Sequence, residues 1–170
     1  MQFKGNEVKY IIWQNRATRF YLAARLLALN EIWGPSAFCA HQALELLLKA
    51  TLIYWDGSFD PIKAGHNFNK MMKTMKNKVP KSADIYIPPY FYENGIYQEI
   101  TRYPNEKKGG EPIPSSFLND LDESFYSLIS LVPFQFNSEL KVILDRRDHE
   151  LVVLRKKNEV IRELGKFLSG

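Results

Sequence analysis

Residues 40–50 read AHQALELLLKA, and the reading of this stretch decides the fold. Wound at about 100° per residue, its leucines and alanines surround almost the whole cylinder of a helix. A helix apolar on nearly every side is one buried on most sides. Yet His41, Gln42, Glu45 and Lys49 fall within one sector roughly 100° wide. Such a stripe has two uses. It can line a polar cleft between helices, where Lys49 meets a phosphate and Glu45 orients it or accepts from a ribose or base. Or it is an i,i+4 chain of His41, Glu45 and Lys49 that satisfies itself at a helix seam. The residues alone leave both open.

Working outward, the helix is expected from about Ser36 to Trp55, stopped by Asp56-Gly57. Ahead of it, RATRFYLAARLLALN at 16–30 repeats apolar residues at helical spacing through Phe20, Leu22, Ala23, Leu26, Leu27 and Leu29, with Arg16, Arg19 and Arg25 interleaved. Asn15 is the expected cap. Gly34 is expected to end this helix, and Ser36 to cap the next. Two helices joined so tightly form an antiparallel hairpin.

A third helix is expected from about Asn67 to Lys78, with Asn69, Met72, Met75 and Val79 as its inner stripe. Lys70, Lys73 and Lys76 recur every third residue along a basic edge. From Pro61 to Lys81 there are six lysines (63, 70, 73, 76, 78 and 81) and no acid. Such a row suits a nucleic-acid backbone, an acidic partner or plain solvent. Residues 80–114 hold six of the nine prolines and five of the nine tyrosines. That composition marks a long loop insertion. Helix returns at Ser115 and runs to Pro133. The tail at 137–168 is charged, and the spacing of Ile161, Leu164 and Leu168 favours helix. Within it, Arg146 and His149 share a helical face, an arrangement that imitates an acid–base pair.

The 170 residues fit one domain, 45% apolar and 25% charged, a globular composition. With the single cysteine, Cys39, no intrachain disulfide can form, and a cytoplasmic home is expected. The first fifteen residues lack the apolar core and cleavage site of a signal peptide, and no stretch is apolar enough to span a bilayer. The formal charge of +4 and pI near 9.1 permit an anionic partner without demanding one. His and Cys are too few and too scattered for a zinc site. GGEP at 109–112 is no phosphate loop, so neither metal nor cofactor is expected.

Three pieces in order resemble a HEPN domain, a small helical module common in prokaryotes. AHQALELLLKA is similar to that family's pattern of Gln-Ala, then Glu, then Lys-Ala on its second helix. His66 in GHN stands just ahead of the third helix. Thr101-Arg102-Tyr103-Pro104 is similar to the Arg-Tyr-Pro segment before the final bundle helix. The resemblance covers roughly residues 15–131, with 137–168 as a helical extension within a single domain spanning 1–170. It implies an all-α, up-and-down antiparallel bundle of four to five helices, often a homodimer. Members bind nucleotides or RNA, or pair with minimal nucleotidyltransferases in toxin–antitoxin systems. Many cut RNA without metal, using an Arg, four to six residues, then a His. Here none of His41, His66 or His149 has an Arg five to seven positions before it, and Arg146 lies too close to His149.

The expected function is therefore a non-catalytic module that binds a nucleotide or RNA, or docks on a nucleotidyltransferase. Gln42, Glu45, Lys49, His66, Arg102 and Tyr103 form its ligand set, and Lys70, Lys73 and Lys76 its basic surface. Arg102 would clamp phosphate and Tyr103 would stack a base. The alternatives are a metal-independent ribonuclease using His66 or His149, with Arg146 as clamp, and a purely structural helical homodimer.

Overall fold

The computed structural model describes residues 5–92 and 114–133. These form four α-helices: α1 (Gly5–Leu29), α2 (Trp33–Trp55), α3 (Phe68–Lys78) and α4 (Phe117–Ile129), with a single 3-10 turn at Pro89–Phe91. The fold is all-α, and the described residues contain no strand.

α2 is the central element. From Ala43 to Ile53 every residue is buried, because α1, α3, α4 and the 3-10 turn all pack against it. Apolar residues all round the cylinder are what that position requires. Among the described residues, α1 and α2 share the largest contact. Their pairings run Tyr10 to Tyr54, Lys49 to Trp13 and Ser36 to Ala24, so the two helices are antiparallel. Small side chains are plentiful on both helices: Ala17, Ala24 and Ala28 of α1 and Ala37, Ala40 and Ala43 of α2 are all nearly or wholly buried in one core cluster. The expected leucine stripe of α1 is therefore only partly the inner one. Leu26 is half exposed, while Tyr21 and Arg25 point inward, because the buried face of α1 is the one that carries the alanines.

α1 starts well before the expected cap Asn15, at Gly5. It ends at residues 30–32, ahead of the expected stop at Gly34. Glu31 takes a left-handed conformation (φ 60°), and the Ile32 N–H reaches back to the Leu27 carbonyl at 2.9 Å. That is a Schellman closure. Gly34 and Pro35 lie in the first turn of α2, where a missing N–H costs nothing. Ser36 is not the cap; its Oγ donates to the Ala24 carbonyl at 2.7 Å, linking the two helices.

α3 is capped by Asn67, whose side chain accepts from the Lys70 N–H at 3.0 Å. Its inner residues are Phe68, Met71, Met75 and then Val79. Met75 and Val79 are as expected, but Asn69 is exposed and Met72 only partly buried, so the first half of the stripe sits one position earlier. From the C-terminal end of α3 the chain turns back along it. Ser82 Oγ donates to the Met75 and Val79 carbonyls, and Tyr92 stacks on Phe68 at 4.9 Å between centroids.

α4 closes the core with Phe117, Leu121, Phe125 and Leu128, an i,i+4,i+8,i+11 stripe. It starts at Phe117 rather than Ser115; Ser116 Oγ donates to the Asp120 carboxylate. Tyr21 stacks on Phe125 at 4.0 Å. Beneath that stack lies a buried polar cluster. Asp122 accepts from the Tyr21 hydroxyl at 2.5 Å and from the Arg25 guanidinium. Burial lifts the Asp122 carboxyl above its ordinary value, against the pull of Arg25 and Tyr21. The expected helix at 137–168 and most of the Pro/Tyr-rich insertion lie outside the described residues.

Candidate functional site

The polar stripe of α2 converges on one carboxylate. Glu45 is 1% exposed and is approached from three sides. Lys49 Nζ donates to Oε1 at 2.8 Å from one turn on. His41 Nε2 lies 3.3 Å from Oε2 from one turn back. His66 Nδ1 reaches across from the chain just before α3, at 3.0 Å from Oε1 and 3.1 Å from Oε2. Burial works to raise the Glu45 carboxyl. Hydrogen bonds from His41, Lys49 and His66, with the charge of Lys49, outweigh it and bring the pKa down to about 2. Glu45 is therefore a fixed anion, held by donors at every side.

The four residues differ in what they leave open. Lys49 is turned inward: it sits 5.4 Å from the Trp13 ring centroid, a cation–π arrangement, and is nearly buried. The expectation that Lys49 meets a phosphate is corrected here, since its charge is used on Glu45 and Trp13. His41 is also buried. Its Nδ1 lies 2.6 Å from the Phe91 carbonyl, which can only accept, so donating there and to Glu45 at once takes both ring N–H groups. Gln42 is half-buried and stands outside this bonded set.

His66 differs. Its side chain is 70% exposed while its Nδ1 is fixed on Glu45. An ionised carboxylate accepts only, so Nδ1 carries a proton, and in the neutral tautomer the lone pair falls on Nε2, on the far side of the ring. No bond to Nε2 is made by the described residues. A ring oriented by a buried carboxylate at one nitrogen and open at the other can bind an anion when protonated, accept a proton, or act as a nucleophile.

Of the two uses the sequence left open, the geometry is that of the helix seam, with one addition. The stripe's His41–Glu45–Lys49 part is a self-satisfying chain at a helix seam. Through Glu45 it also positions a solvent-facing histidine from another element. Beyond His66, Lys70, Lys73 and Lys76 are exposed on α3 and make no ion pair among the described residues. Lys63 stands 4.0 Å from Asp60, and Lys78 pairs with Asp56 at 2.7 Å. Arg102, Tyr103, Arg146 and His149 lie outside the described residues. Among the described residues, no group of three or more His, Cys, Asp or Glu is arranged to hold a metal ion, and no helix is long and apolar enough to cross a membrane.

Sequence reasoning missed two partners at the site and one buried cluster outside it. Trp13 under Lys49 and the Phe91 carbonyl under His41 come from elements remote in the chain, and a backbone carbonyl leaves no residue signal. The Tyr21–Arg25–Asp122 cluster carried one readable sign, since Tyr21 and Arg25 share the alanine face of α1 rather than its leucine face.

No curated protein and no solved structure matches the chain. A family model for the HEPN domain matches residues 10–111, a span holding most of α1, all of α2 and α3, the Glu45 cluster and Arg102–Tyr103. With more than half of its length matched and an all-helical fold around that stretch, the chain belongs to the HEPN domain family.

Proposed function

We propose that this HEPN domain binds the phosphates of a nucleotide or of RNA at the surface formed by His66 and the lysines of α3. One observation carries this reading: a buried anion, Glu45, orients an exposed histidine at the head of a helix whose next three lysines are exposed and unpaired among the described residues. Protonated His66 and, four residues on, Lys70 offer positive charge to phosphate, and Lys73 and Lys76 continue the charge along α3. Arg102 and Tyr103, as residue types, suit the same ligand. The same basic face suits an acidic surface on a minimal nucleotidyltransferase, and either role is compatible with a homodimer.

Thermal unfolding against a panel of nucleotides and a short RNA tests this. A ligand at about 100 times its Kd adds roughly 2.7 kcal/mol, a rise of a few degrees for a domain of this size. The rise should vanish in His66→Ala and shrink in Lys70→Gln. An Arg102→Ala variant tests whether the insertion contributes. A rise unaffected by all three substitutions would move the site elsewhere, and no rise with any ligand would favour a protein partner or a purely assembling role.

The Glu45–His66 contact also favours a second reading, a metal-independent ribonuclease with His66 as general base in place of the missing Arg–His spacing. RNA cleavage in EDTA that is lost in His66→Ala would support it, and no cleavage would remove it.

A further inference from the structure

We infer that His66 Nε2 is a nucleophile toward small phosphoryl donors, making His66 a phosphorylation site of this chain. Three properties meet at this residue. The Nδ1 proton is committed to Glu45 at 3.0 and 3.1 Å, which fixes the tautomer and leaves the lone pair on Nε2. The ring is exposed, so a donor can approach along that lone pair. Lys70, four residues on, is exposed and free of any ion pair among the described residues, and can neutralise the oxygens of an incoming phosphoryl group. His41 has none of this freedom. It is buried, with the Phe91 carbonyl at one nitrogen and Glu45 beside the other.

The step balances without an outside oxidant or reductant. With a zwitterionic phosphoramidate as donor, the Nε2 lone pair attacks phosphorus. The N–P bond forms as the donor's P–N bond breaks, and the amine nitrogen leaves as ammonia. Nδ1 keeps its proton. The positive charge that the ring acquires is held against the Glu45 carboxylate, which is already ionised. Glu45 thus stabilises the charge that appears on the ring in the transition state and product, and does so from a fixed position. Glu45 is here a positioning residue, and His66 is the group that reacts. This reactivity rests on the same His66 site proposed above, but needs no bound nucleotide.

The test treats the full chain with potassium phosphoramidate and follows intact mass, then maps the acid-labile, alkali-stable label by peptide. Label should enter at His66 roughly 10-fold faster in the folded chain than in the same chain unfolded in urea, the scale on which a carboxylate partner alters a histidine. His66→Gln should remove it. Glu45→Gln should bring the folded rate down to the unfolded one. Should Glu45→Gln fail to fold, Lys70→Gln on the exposed face serves instead, slowing the His66 rate a few-fold with unfolding unchanged. Equal rates in folded and unfolded chain, or label on His149 in place of His66, would overturn the proposal. Labelling at His66 with no nucleotide-dependent thermal shift would sink the binding reading alone.

Discussion

Replacing Glu45 with glutamine keeps the shape of the side chain and removes the charge on which the site is built. At neutral pH this leaves the Lys49 ammonium, 5% exposed, without a counter-ion. Removing one partner of a buried pair costs about 3–5 kcal/mol. The pH dependence follows from the same contacts. The folded-state pKa of Glu45 is depressed from 4.5 to about 2. Its contribution is thus fully present above the unfolded value and is lost as pH falls toward the folded one. At about 1.4 kcal/mol per pH unit the ceiling is roughly 3 kcal/mol. Solvent reaching the cluster around His66 reduces this, and about 2 kcal/mol should be gone by about pH 3. Urea unfolding of wild type and Glu45→Gln, followed by tryptophan fluorescence between about pH 7 and pH 3, reads both quantities. Wild type should be more stable by several kcal/mol at pH 7, with the gap narrowing by about 2 kcal/mol at the acid end. A gap independent of pH, or a glutamine variant as stable as wild type at pH 7, would refute the assignment of Glu45 as a buried anion.

Other outcomes follow from the same structure. Arg25→Met and Asp122→Leu should each destabilise by about 3–5 kcal/mol, since each strands a buried polar partner, while the double variant should recover much of the loss; chemical denaturation of the four proteins gives the coupling directly. Glu31→Gly should raise stability by roughly 1 kcal/mol, because glycine takes the left-handed conformation at residue 31 without the cost of a Cβ, and a calorimetric Tm checks it. Replacing Lys70, Lys73 and Lys76 together with glutamine should leave Tm nearly unchanged. If all three meet phosphates of a single-stranded RNA, it should also flatten the salt dependence of binding by about 2 in log–log slope, measured by titration at several salt concentrations.

The helices were legible because their signals are local. A helix apolar all round is central wherever it occurs, and AHQALELLLKA announced α2 as such. α3 was expected at about Asn67 to Lys78 from its weak inner stripe and its lysines, and α4 between Ser115 and Pro133. The boundary between α1 and α2 was misplaced because Gly34 and Pro35 read as a break, though both are tolerated in a first turn, while Glu31 carries no sequence sign of a left-handed conformation. At the site, the stripe itself was readable, and so was His66 as a residue just ahead of a helix. Their meeting was not, since the His66–Glu45 contact spans 21 positions and depends on how residues 56–67 fold back. Lys49 was misassigned for a related reason: only the packed α1 brings Trp13 over it.

The α1/α2 seam has a consequence for how the chain folds. The largest contact among the described residues is closed by a connection of only residues 30–32, so little chain entropy is lost in making it. Buried alanines need little rotamer search, and contacts so near in sequence form early. α3 and α4 must find a hairpin that already exists, α4 across a much longer stretch of chain. Substitutions along the seam, such as Ala24→Gly, should therefore slow refolding. Those on α3, such as Met75→Ala, should chiefly hasten unfolding. In stopped-flow chevrons the two should move opposite limbs. The surface that carries His66 and the lysines is then the last part of this core to be secured, and the first to open.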